Sequence, residues 1–553
     1  MSFRRNCDFN FSLFWHYAAK ASKEKTINKL KVLLTGATGT MGQATLNLLL
    51  EEDMLDVTVM ALDTAKEKRI LKSFLKKKAF SVIYGDVRDF EAVFQATKET
   101  ELILHLAALV SPAADKHPDL AMQINCGGTL NFVQAITKQK RQNEVFFVYI
   151  GTVAQTGDRR PPIHWGRVGD PIKPAVFDYY AVSKVAAERA VIESGLTNWV
   201  SLRQTGIMGP DMGNISDPII LHNPLDNVLE YVSDRDSSIL LRNLCVDLAN
   251  NQLDPAFWGH IYNVGGGESC RASSLDLYSG AFAKFGITDL KGAFNPNWFA
   301  TYNFHGQYYL DSDKLENYLH FRNDTMQYFY DSFEENNILT AKLGRHIMKL
   351  PGAQKLIKSM VANKFKRLAL KTGGTLYALK KGKEDYITTF WGNLKNWLKL
   401  PADFKEFKPF NDYQKVIRID HGYDEDKPAS ELNLADIRYA AKFRGGSCLS
   451  SEMEKGNWKQ KLLFRCGFGH NFKASPKLIL EGGHWCPYCE NAGWNYTARA
   501  KIDPFFAQVW NPIHKQDENK IAFAKTIKPK LTNWPIKLNK SQYQIKYQRL
   551  YPV

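Results

Sequence analysis

The chain lacks any long apolar run. Across its 553 residues no stretch approaches the roughly 18 consecutive apolar residues that a membrane-spanning helix requires. The N-terminal segment, "MSFRRNCDFNFSLFWHYAAK", is aromatic and basic, and it has neither a continuous apolar core nor a small-residue cleavage site. We therefore expect a protein without a signal peptide that resides in the cytoplasm.

Cysteine is also scarce. Eight cysteines in a chain of this length are too few for a disulfide scaffold. Three of them lie close together near the C-terminus, and four others are scattered through the first half. The clustered residues are Cys466, Cys486 and Cys489, and the scattered ones are Cys7, Cys126, Cys245 and Cys270. Clustering of this kind predicts a metal site rather than a disulfide network.

Acidic residues are few in one segment. Residues 341–410 hold sixteen Lys and Arg against four Asp and Glu, so they carry most of the net charge of +16. Such a segment attracts an anionic partner. An anionic membrane surface against residues 341–400 is one interpretation, because Phe390, Trp391 and Trp397 alternate with lysines as in interfacial helices. A solvated basic face and a cap over an active site are the alternatives. Nucleic acid is not expected, since no nucleic-acid-binding fold is apparent.

Short apolar runs alternate with helix-like segments between residues 31 and 210. Strands that alternate with helices predict an α/β fold with a Rossmann-type, doubly wound parallel sheet. Each run is continuous rather than alternating, as in strands that are buried on both faces. The runs are "KVLLTG", "VTVMALD", "FSVIYGD", "LILHLAA", "VFFVYIGT" and "WVSLRQ".

The length predicts two to four domains, because one hydrophobic core does not serve 553 residues. Changes in pattern along the chain suggest the boundaries. We expect an N-terminal extension (1–30), a nucleotide-binding domain (31–335) whose small substrate lobe is mainly 211–335, a basic helical region (336–410), a zinc-ribbon-like domain (411–500) and a C-terminal tail (501–553).

Three glycines at a spacing of three interrupt "KVLLTGATGTMGQATLNLLL". Gly36, Gly39 and Gly42 lie between a predicted strand and a predicted helix, the context in which a glycine turn cradles a pyrophosphate at a helix N-terminus. Thr40 and Met41 begin that helix and join the candidate cofactor-binding residues. The alternative is a tight turn that binds nothing.

The second predicted strand ends at Asp63, twenty-one residues after Gly42. A carboxylate at this position can bind both ribose hydroxyls of NAD and would repel the 2′-phosphate of NADP. We therefore expect NAD, with NADP as the less favoured cofactor because Lys66 lies close by.

These motifs resemble the extended short-chain dehydrogenase/reductase superfamily, whose members include NAD-dependent epimerases and dehydratases. The resemblance extends over some 240 residues through "YGDVRD", "LHLAALVS", "INCGGTLNFVQA", "VYIGTVAQTG", "YYAVSK" and "LRQTGIMGP". It implies that Asp86 and Val87 meet the adenine, that Ala107 and Ala108 pass under the cofactor, and that Asn125 braces the active site.

The segment "DYYAVSK" carries the candidate catalytic pair. Tyr180 and Lys184 are four residues apart, so a helix places them on one face. A neighbouring ammonium favours phenolate, so we expect the pKa of Tyr180 to fall towards neutrality and the phenol to act as acid and base. Tyr179 has no lysine four residues on. The resemblance implies that Lys184 also holds the nicotinamide ribose and that Thr152, with Thr156 as the alternative, polarises the reacting oxygen.

Three functions follow from these residues. The first is an NAD-dependent oxidoreductase that interconverts a secondary alcohol and a ketone. The second is a nucleotide-sugar epimerase or dehydratase. The third is an NAD-binding scaffold or sensor that docks a partner. Glu230 stands where nucleotide-sugar enzymes usually show arginine, although Arg235 and Arg271 remain candidate anion contacts, and "GTVAQ" lacks the acidic pair of a dehydratase. The superfamily resemblance also suggests a homodimer.

The C-terminal cysteines have the spacing of a zinc site. Cys466 and His470 form one close pair, and Cys486 and Cys489 form a Cys-x2-Cys knuckle. Fifteen residues lie between His470 and Cys486. Three thiolates and an imidazole complete a tetrahedral sphere, which predicts structural zinc. The segment resembles a zinc ribbon. His484 is a rival ligand, and buried redox-active thiols are the alternative. Such a module would pin the tail to the catalytic domain or recruit a partner.

Overall fold

The computed structural model describes residues 29–209, 216–514 and residue 518. The predicted N-terminal extension therefore lies outside the described residues up to residue 28. The predicted tail does so at 515–517 and from residue 519 onward.

A parallel sheet of seven strands forms the centre of the chain. Its spatial order is β11-β7-β5-β4-β1-β2-β3, so the chain winds outward from β1 in one direction and then in the other. The strands, the seven of the sheet included, are β1 (Leu30–Thr35), β2 (Leu55–Ala61), β3 (Ser81–Tyr84), β4 (Leu102–His105), β5 (Phe146–Thr152), β6 (Trp165–Gly166), β7 (Asn198–Gln204), β8 (Ile207–Met208), β9 (Val228–Glu230), β10 (Val232–Ser233), β11 (His260–Val264), β12 (Arg271–Ser273), β13 (Tyr308–Tyr309), β14 (Ser447–Cys448), β15 (Leu462–Arg465) and β16 (Asn471–Ala474).

Helices cover both faces of this sheet and continue beyond it. They are α1 (Thr40–Leu49), α2 (Ala65–Leu75), α3 (Phe90–Ala96), α4 (Ala113–Lys116), α5 (Pro118–Ala121), α6 (Gly128–Lys138), α7 (Tyr179–Ile192), α8 (Asp234–Ala249), α9 (Ser274–Ala283), α10 (Asp313–Leu319), α11 (Met326–Asn336), α12 (Ile338–Ile347), α13 (Ala353–Leu370), α14 (Thr375–Lys380), α15 (Glu384–Trp391), α16 (Leu394–Leu398), α17 (Leu434–Phe443), α18 (Pro476–Leu480), α19 (Tyr496–Ile502) and α20 (Pro504–Trp510).

The doubly wound α/β fold predicted from the sequence is confirmed. All six apolar runs form strands of the central sheet, and "HIYNV" adds the seventh at one edge. One hydrophobic cluster lies between the sheet and α1, α2 and α8, and a second lies on the opposite face with α3, α6 and α7. Burial on both faces explains why the runs are continuous rather than alternating.

The lobe that follows β7 consists of short strand pairs and helices. Strand β9 pairs antiparallel with β12, whereas β8 pairs parallel with β10. The side chains of Tyr231, Tyr309 and Phe329 pack together in a hydrophobic cluster of their own. This cluster supports the side of the lobe that faces the ends of the central strands.

The basic region is helical, as predicted, and its helices α12 to α16 break at Pro351 and at Gly373-Gly374. The expectation of an interfacial aromatic face is wrong. Phe390 and Trp391 are buried in a hydrophobic cluster, and the Trp397 indole donates to the carbonyl of Asn297. These rings pack inward because the lobe offers them an apolar surface. In the described part of the chain, no helix has the length and apolarity to cross a bilayer.

The C-terminal cysteine-containing segment shares its core with the part that contains the central sheet. A single hydrophobic cluster contains residues of both. Residues from the sheet and its helices include Phe147, Val182, Ala186 and Trp199, and those from the C-terminal segment include Leu432, Ile437, Phe464, Phe472, Leu478 and Trp485. A contiguous buried cluster of this kind makes the two parts one packing unit.

Candidate active site and metal cluster

A cavity of about 2070 Å³ runs along the carboxyl ends of the central strands. This is the edge at which open parallel sheets bind their ligands. The glycine turn lines one part of the cavity, and Tyr180, Lys184 and Thr152 line another. The structure therefore brings the candidate catalytic residues and most of the candidate cofactor residues to one space; Asp63 and Asn125 are the two that do not line it.

The three glycines of the turn have different roles. Gly36 has φ +72°, and a Cβ added there would lie 2.7 Å from the Ala107 nitrogen. A Cβ on Gly42 would lie 2.1 Å from the Gly36 carbonyl oxygen. Gly39 differs, because it is extended, lines the cavity and would place its Cβ no nearer than 3.5 Å to another atom. Gly36 and Gly42 are thus needed for the turn itself, and Gly39 leaves space beside the N-terminus of α1, which no side chain caps.

This difference allows a test that separates a ligand cradle from a tight turn. We expect Gly39→Ala to change the free energy of unfolding by less than about 1 kcal/mol, because its backbone is one that alanine adopts readily. The same substitution should weaken dinucleotide binding about tenfold or more, since the methyl group enters the space beside the helix N-terminus. Isothermal titration calorimetry with NAD and thermal unfolding measure the two effects.

Gly36→Ala provides the contrast. It should destabilise the fold by at least about 2 kcal/mol, because a left-handed backbone and a clash with Ala107 are imposed together. Unchanged NAD affinity in Gly39→Ala would show that the segment is only a turn.

Asp63 does not line the cavity. Its carboxylate pairs with Lys68, and its side chain is 64% exposed. The cavity near the end of β2 is lined instead by Leu62, Lys66 and Glu67. The assignment of Asp63 to the ribose, and with it the preference for NAD, stays a prediction from the sequence.

Asp86 and Val87 both line the cavity at the end of β3. The Arg88 guanidinium donates to both carboxylate oxygens of Asp86, and this contact contributes to a pKa of Asp86 below its usual range although burial acts against it. The Val87 carbonyl accepts a hydrogen bond from the Asn131 amide at 2.9 Å. Both residues thus line the cavity with fixed side-chain or backbone contacts, and their contact with adenine stays a prediction.

Asn125 acts as a brace. It lies in a π-helical turn, Met122–Gly127, and is buried. Its amide nitrogen donates to the Leu109 carbonyl at 2.9 Å and to the Ser183 hydroxyl at 2.8 Å, while its oxygen accepts from the Leu109 N–H at 2.7 Å. The side chain thus ties the loop after β4 to α7. π-Helical turns occur often at functional sites.

Tyr180 meets Thr152 in the cavity. Both side chains line it, and the Thr152 hydroxyl accepts the Ala154 N–H at 3.3 Å. The alternative, Thr156, is buried and does not line the cavity. Its hydroxyl donates a hydrogen bond to the Val153 carbonyl. Of the two threonines, Thr152 is therefore the one that can contact a substrate.

The expected fall in the pKa of Tyr180 is wrong for this structure. Burial raises the pKa of Tyr180 well above its usual value, and the Thr152 hydrogen bond opposes this only in part. Lys184 does not act on the phenol because its Nζ donates to the Ile150 carbonyl at 2.7 Å and lies over the Tyr149 ring. Burial also lowers the pKa of Lys184 to about 7.

Two carboxylates beside Tyr180 were not among the predicted site residues. Asp178 caps α7 by accepting the Ala181 N–H at 2.8 Å, and Asp115 accepts the Tyr179 N–H at 3.0 Å. Both line the cavity, and burial together with Asp178 raises the pKa of Asp115 to about 7. The capping position before "YYAVSK" gave a signal for Asp178. Nothing local distinguished Asp115, which the short helix α4 brings in from a distant part of the sequence.

Glu188, one helical turn after Lys184, was also missed. Its buried carboxylate accepts hydrogen bonds from Arg203, Ser201 and Gln155 and lies 3.0 Å from the His484 ring. Gln155 in turn accepts the Thr152 N–H at 2.8 Å. This network links the C-terminal segment to the cavity through two side chains.

The predicted zinc ligands converge in the structure. The ligand atoms of Cys466, His470, Cys486 and Cys489 all lie within 4.8 Å of one another. The His470 Nδ1 is 3.3 to 3.6 Å from the three sulfur atoms, and the sulfurs of Cys466 and Cys489 are 3.9 Å apart. A tetrahedral zinc site with Zn–S bonds of about 2.3 Å has edges of about 3.8 Å, so the geometry fits zinc.

His484, the rival ligand, faces elsewhere. Its Nε2 contacts Glu188, and its Nδ1 lies 3.3 Å from the Glu490 carboxylate. The Arg189 guanidinium also donates to Glu490 and to the Trp485 carbonyl. The residues on either side of the Cys486–Cys489 knuckle therefore bind to side chains of α7 through hydrogen bonds and ion pairs.

The predicted anion contacts do not reach the cavity. Arg271 donates to Glu230 at 2.9 Å, and Arg235 pairs with Asp324. Neither arginine lines the cavity. Both belong to ion pairs within the lobe, so the sequence overestimated their availability to a substrate.

Residues 33–233 match the model of the 3-beta hydroxysteroid dehydrogenase/isomerase family. Among curated proteins, an uncharacterized epimerase/dehydratase of Staphylococcus aureus (strain USA300) is 29% identical over 160 residues, which are 29% of this chain and 46% of that protein. A counterpart from strain MRSA252 gives the same figures. The chain thus spans about half the length of the curated relatives it matches.

Solved structures are similar at low identity. The dTDP-glucose 4,6-dehydratase of Bacillus anthracis, in complex with NAD, is 15% identical with a TM-score of 0.43 and covers 57% of this chain and 99% of its own. The UDP-glucuronic acid 4-epimerase of Bacillus cereus, in complex with NAD, is 18% identical with a TM-score of 0.41, and it covers 55% of this chain and 97% of its own.

Proposed function

We propose, from the match of residues 33–233 to the model of the 3-beta hydroxysteroid dehydrogenase/isomerase family, that the chain is a nicotinamide-dependent oxidoreductase. It interconverts a secondary alcohol and a ketone. The observation that carries this proposal is the convergence of the glycine turn with Tyr180, Thr152 and Lys184 on one cavity. The turn alone would suit any nucleotide, and the tyrosine and lysine alone occur often by chance.

The residues at the carboxyl ends of β1, β3 and β4 fit a dinucleotide. Gly39 leaves space beside an uncapped helix N-terminus, a position that favours a pyrophosphate. Asp86 and Val87 would lie against the adenine. Ala107 would form the floor of the site, and Lys184 would hold the nicotinamide ribose. NAD, when bound, supplies the hydride acceptor or donor.

Tyr180 and Thr152 handle the proton at the reacting oxygen. Burial keeps the Tyr180 phenol protonated at neutral pH, so it can give its proton to a developing alkoxide. The Thr152 hydroxyl, which lines the same cavity, orients the same oxygen. In the reverse direction the side chain must first lose its proton, so that the phenolate can accept the proton of the alcohol, and an ammonium brought beside it would favour the phenolate. Lys184, four residues away on α7, is the residue available to supply that charge.

A binding and turnover experiment tests the proposal. Calorimetric titration with NAD and NADP should give a saturable heat with at least one of them. A panel of ketones, hydroxysteroids and nucleotide sugars should then reveal a substrate that consumes NADH, monitored by its absorbance. Absence of heat with both dinucleotides, for folded and metal-replete protein, would contradict the proposal.

An epimerase or dehydratase is the second candidate. The curated relatives carry that description, and the structure places Asp115 and Asp178 beside Tyr180, although "GTVAQ" has no acidic pair. A carboxyl with a pKa of about 7 suits proton exchange at carbon. Such an enzyme would convert its substrate without net change in NADH, which distinguishes the two candidates. A scaffold, the third alternative, would keep its function in Tyr180→Phe.

We also propose that Cys466, His470, Cys486 and Cys489 hold a structural zinc ion. Four protein ligands leave no open position, which excludes a catalytic role for the metal. The position of His484, Trp485 and Glu490 against α7 supports the alternative in which this segment is pinned to the catalytic part. A homodimer and an anionic surface partner for residues 341–400 stay predictions.

A further inference from the structure

The part of the cavity beyond Tyr180 is larger and more apolar than a small ketone requires. Ligand pockets usually have volumes of about 300–1,000 Å³, whereas this cavity has about 2070 Å³. A dinucleotide at the glycine turn would leave space for a second large ligand. Helices α9, α11, α12 and α13 enclose that space, which we call the apolar arm. The side chains that line it include Leu277, Phe282, Phe329, Phe333, Leu343, Ile347, Ile357, Val361, Phe365 and Leu368.

The apolar arm opens at the surface near Leu343. This side chain lines the cavity and is nevertheless 60% exposed. Among the described lining residues from Phe329 to Phe390, Lys364 is the one charged side chain. An arm of this composition offers few partners to a polar ligand, and burying unpaired hydroxyl groups there would be unfavourable.

A small basic pocket adjoins the arm. Its volume is about 440 Å³, and Lys364, Arg367 and Lys371 line it from one face of α13 and the residue that follows. Lys364 and Leu368 line both spaces, so the two are neighbours. In the part of the chain that the structure describes, none of the three cations forms a salt bridge. Their spacing of three and four residues directs them to one side of the helix.

We infer that the chain binds an amphiphilic anion, with its apolar body in the arm and its carboxylate or phosphate head on Lys364, Arg367 and Lys371. The apolar arm is complementary to the hydrophobic body of such a molecule, and the adjacent basic pocket is complementary to its charged head. Only one part of the inference rests on the proposed function, namely that the bound amphiphilic anion is the substrate. Binding itself is measurable without turnover. A nucleotide sugar fits less well because its many hydroxyl groups would enter a space with few polar partners.

Binding of a fluorescent fatty acid tests the inference. cis-Parinaric acid, a long-chain carboxylate whose emission rises in apolar surroundings, should bind the full chain saturably in a fluorescence titration. Its methyl ester keeps the apolar body and lacks the charge, so we expect it to bind about tenfold more weakly. Inorganic phosphate alone should not displace either probe at millimolar concentration, because it cannot fill the arm.

Charge-reversal variants locate the head group. Lys364→Glu combined with Arg367→Glu should weaken the acid at least tenfold and leave the ester nearly unchanged. Both side chains are exposed, so folding should persist. Lys355→Glu combined with Lys366→Glu is the matched control, since these lysines lie on the same helix and line neither pocket. Leu343→Glu, at the exposed mouth of the arm, should weaken acid and ester alike.

The outcomes separate this inference from the proposed function. Equal affinity for acid and ester, or an equal effect of the two charge-reversal pairs, would overturn the assignment of the head-group site. Failure of both probes to bind would overturn the arm as a lipid-binding space. Calorimetry with NAD on the same proteins reports the cofactor site independently, and the charge-reversal pairs should not change it.

Discussion

Tyr180→Phe should lower the turnover number by about 10²- to 10⁴-fold, because positioned acid–base groups contribute that much to proton-transfer steps. The substitution removes one hydroxyl from a cavity-lining ring and retains the ring itself. NAD affinity and the unfolding temperature should therefore change little. Steady-state kinetics on a substrate from the screen, with NAD calorimetry on the same preparation, measure both effects.

Tyr179→Phe is the matched control, because the adjacent tyrosine lines the same cavity and also begins α7. It should keep turnover within a few-fold of the wild-type chain. Loss of turnover in Tyr179→Phe with retention in Tyr180→Phe would reverse the assignment. Equal, small effects would favour a binding protein over an enzyme.

Cys486→Ser should release the metal and destabilise the fold by at least about 3 kcal/mol. Structural zinc contributes on the order of 10 kcal/mol of folding free energy in zinc-finger peptides, and one lost thiolate removes a large part of the affinity. Metal content by mass spectrometry and denaturant unfolding provide the measurement. Because the knuckle and its neighbours contact α7, hydrogen exchange in Tyr179–Ile192 should also increase.

Cys448→Ser controls for the loss of a buried thiol. Cys448 lies in the same hydrophobic cluster as Cys486 but outside the four-residue metal cluster. It should retain the metal and cost about 1–2 kcal/mol, the range of an ordinary core substitution. If Cys486→Ser kept its full metal content and stability, the four residues would be buried thiols and an imidazole without a structural ion.

Local patterns in the sequence were sufficient for the sheet and the turn. Each apolar run between residues 31 and 210 became a strand because burial on both faces and short connections leave few other arrangements. The convergence of Cys466, His470, Cys486 and Cys489 could also be predicted, since the spacing of close ligand pairs is itself a metal-site signal.

Long-range packing accounts for what the sequence did not predict. Asp115 enters the site from the short helix α4, which carries no motif, and its partner Asp178 lies 63 residues later. The aromatic residues near Trp391 have the sequence pattern of an interfacial helix. Their burial depends on a distant part of the chain, the lobe that covers them, which the local pattern does not show. The sequence predicts that Lys184 lowers the pKa of Tyr180, but its ammonium group donates a hydrogen bond to the Ile150 carbonyl instead.

The buried contact between Glu188 and His484 has a consequence for how the chain can be divided. A fragment that stops at residue 335, the predicted end of the nucleotide-binding domain, would leave Glu188, Arg189 and Arg203 without their C-terminal partners. The smallest autonomously folding unit around the central sheet must therefore include the distant cysteine-bearing segment. A gene fusion or recombination event that exchanged this segment alone would disrupt a shared hydrophobic core, because no simple linker joins the two parts.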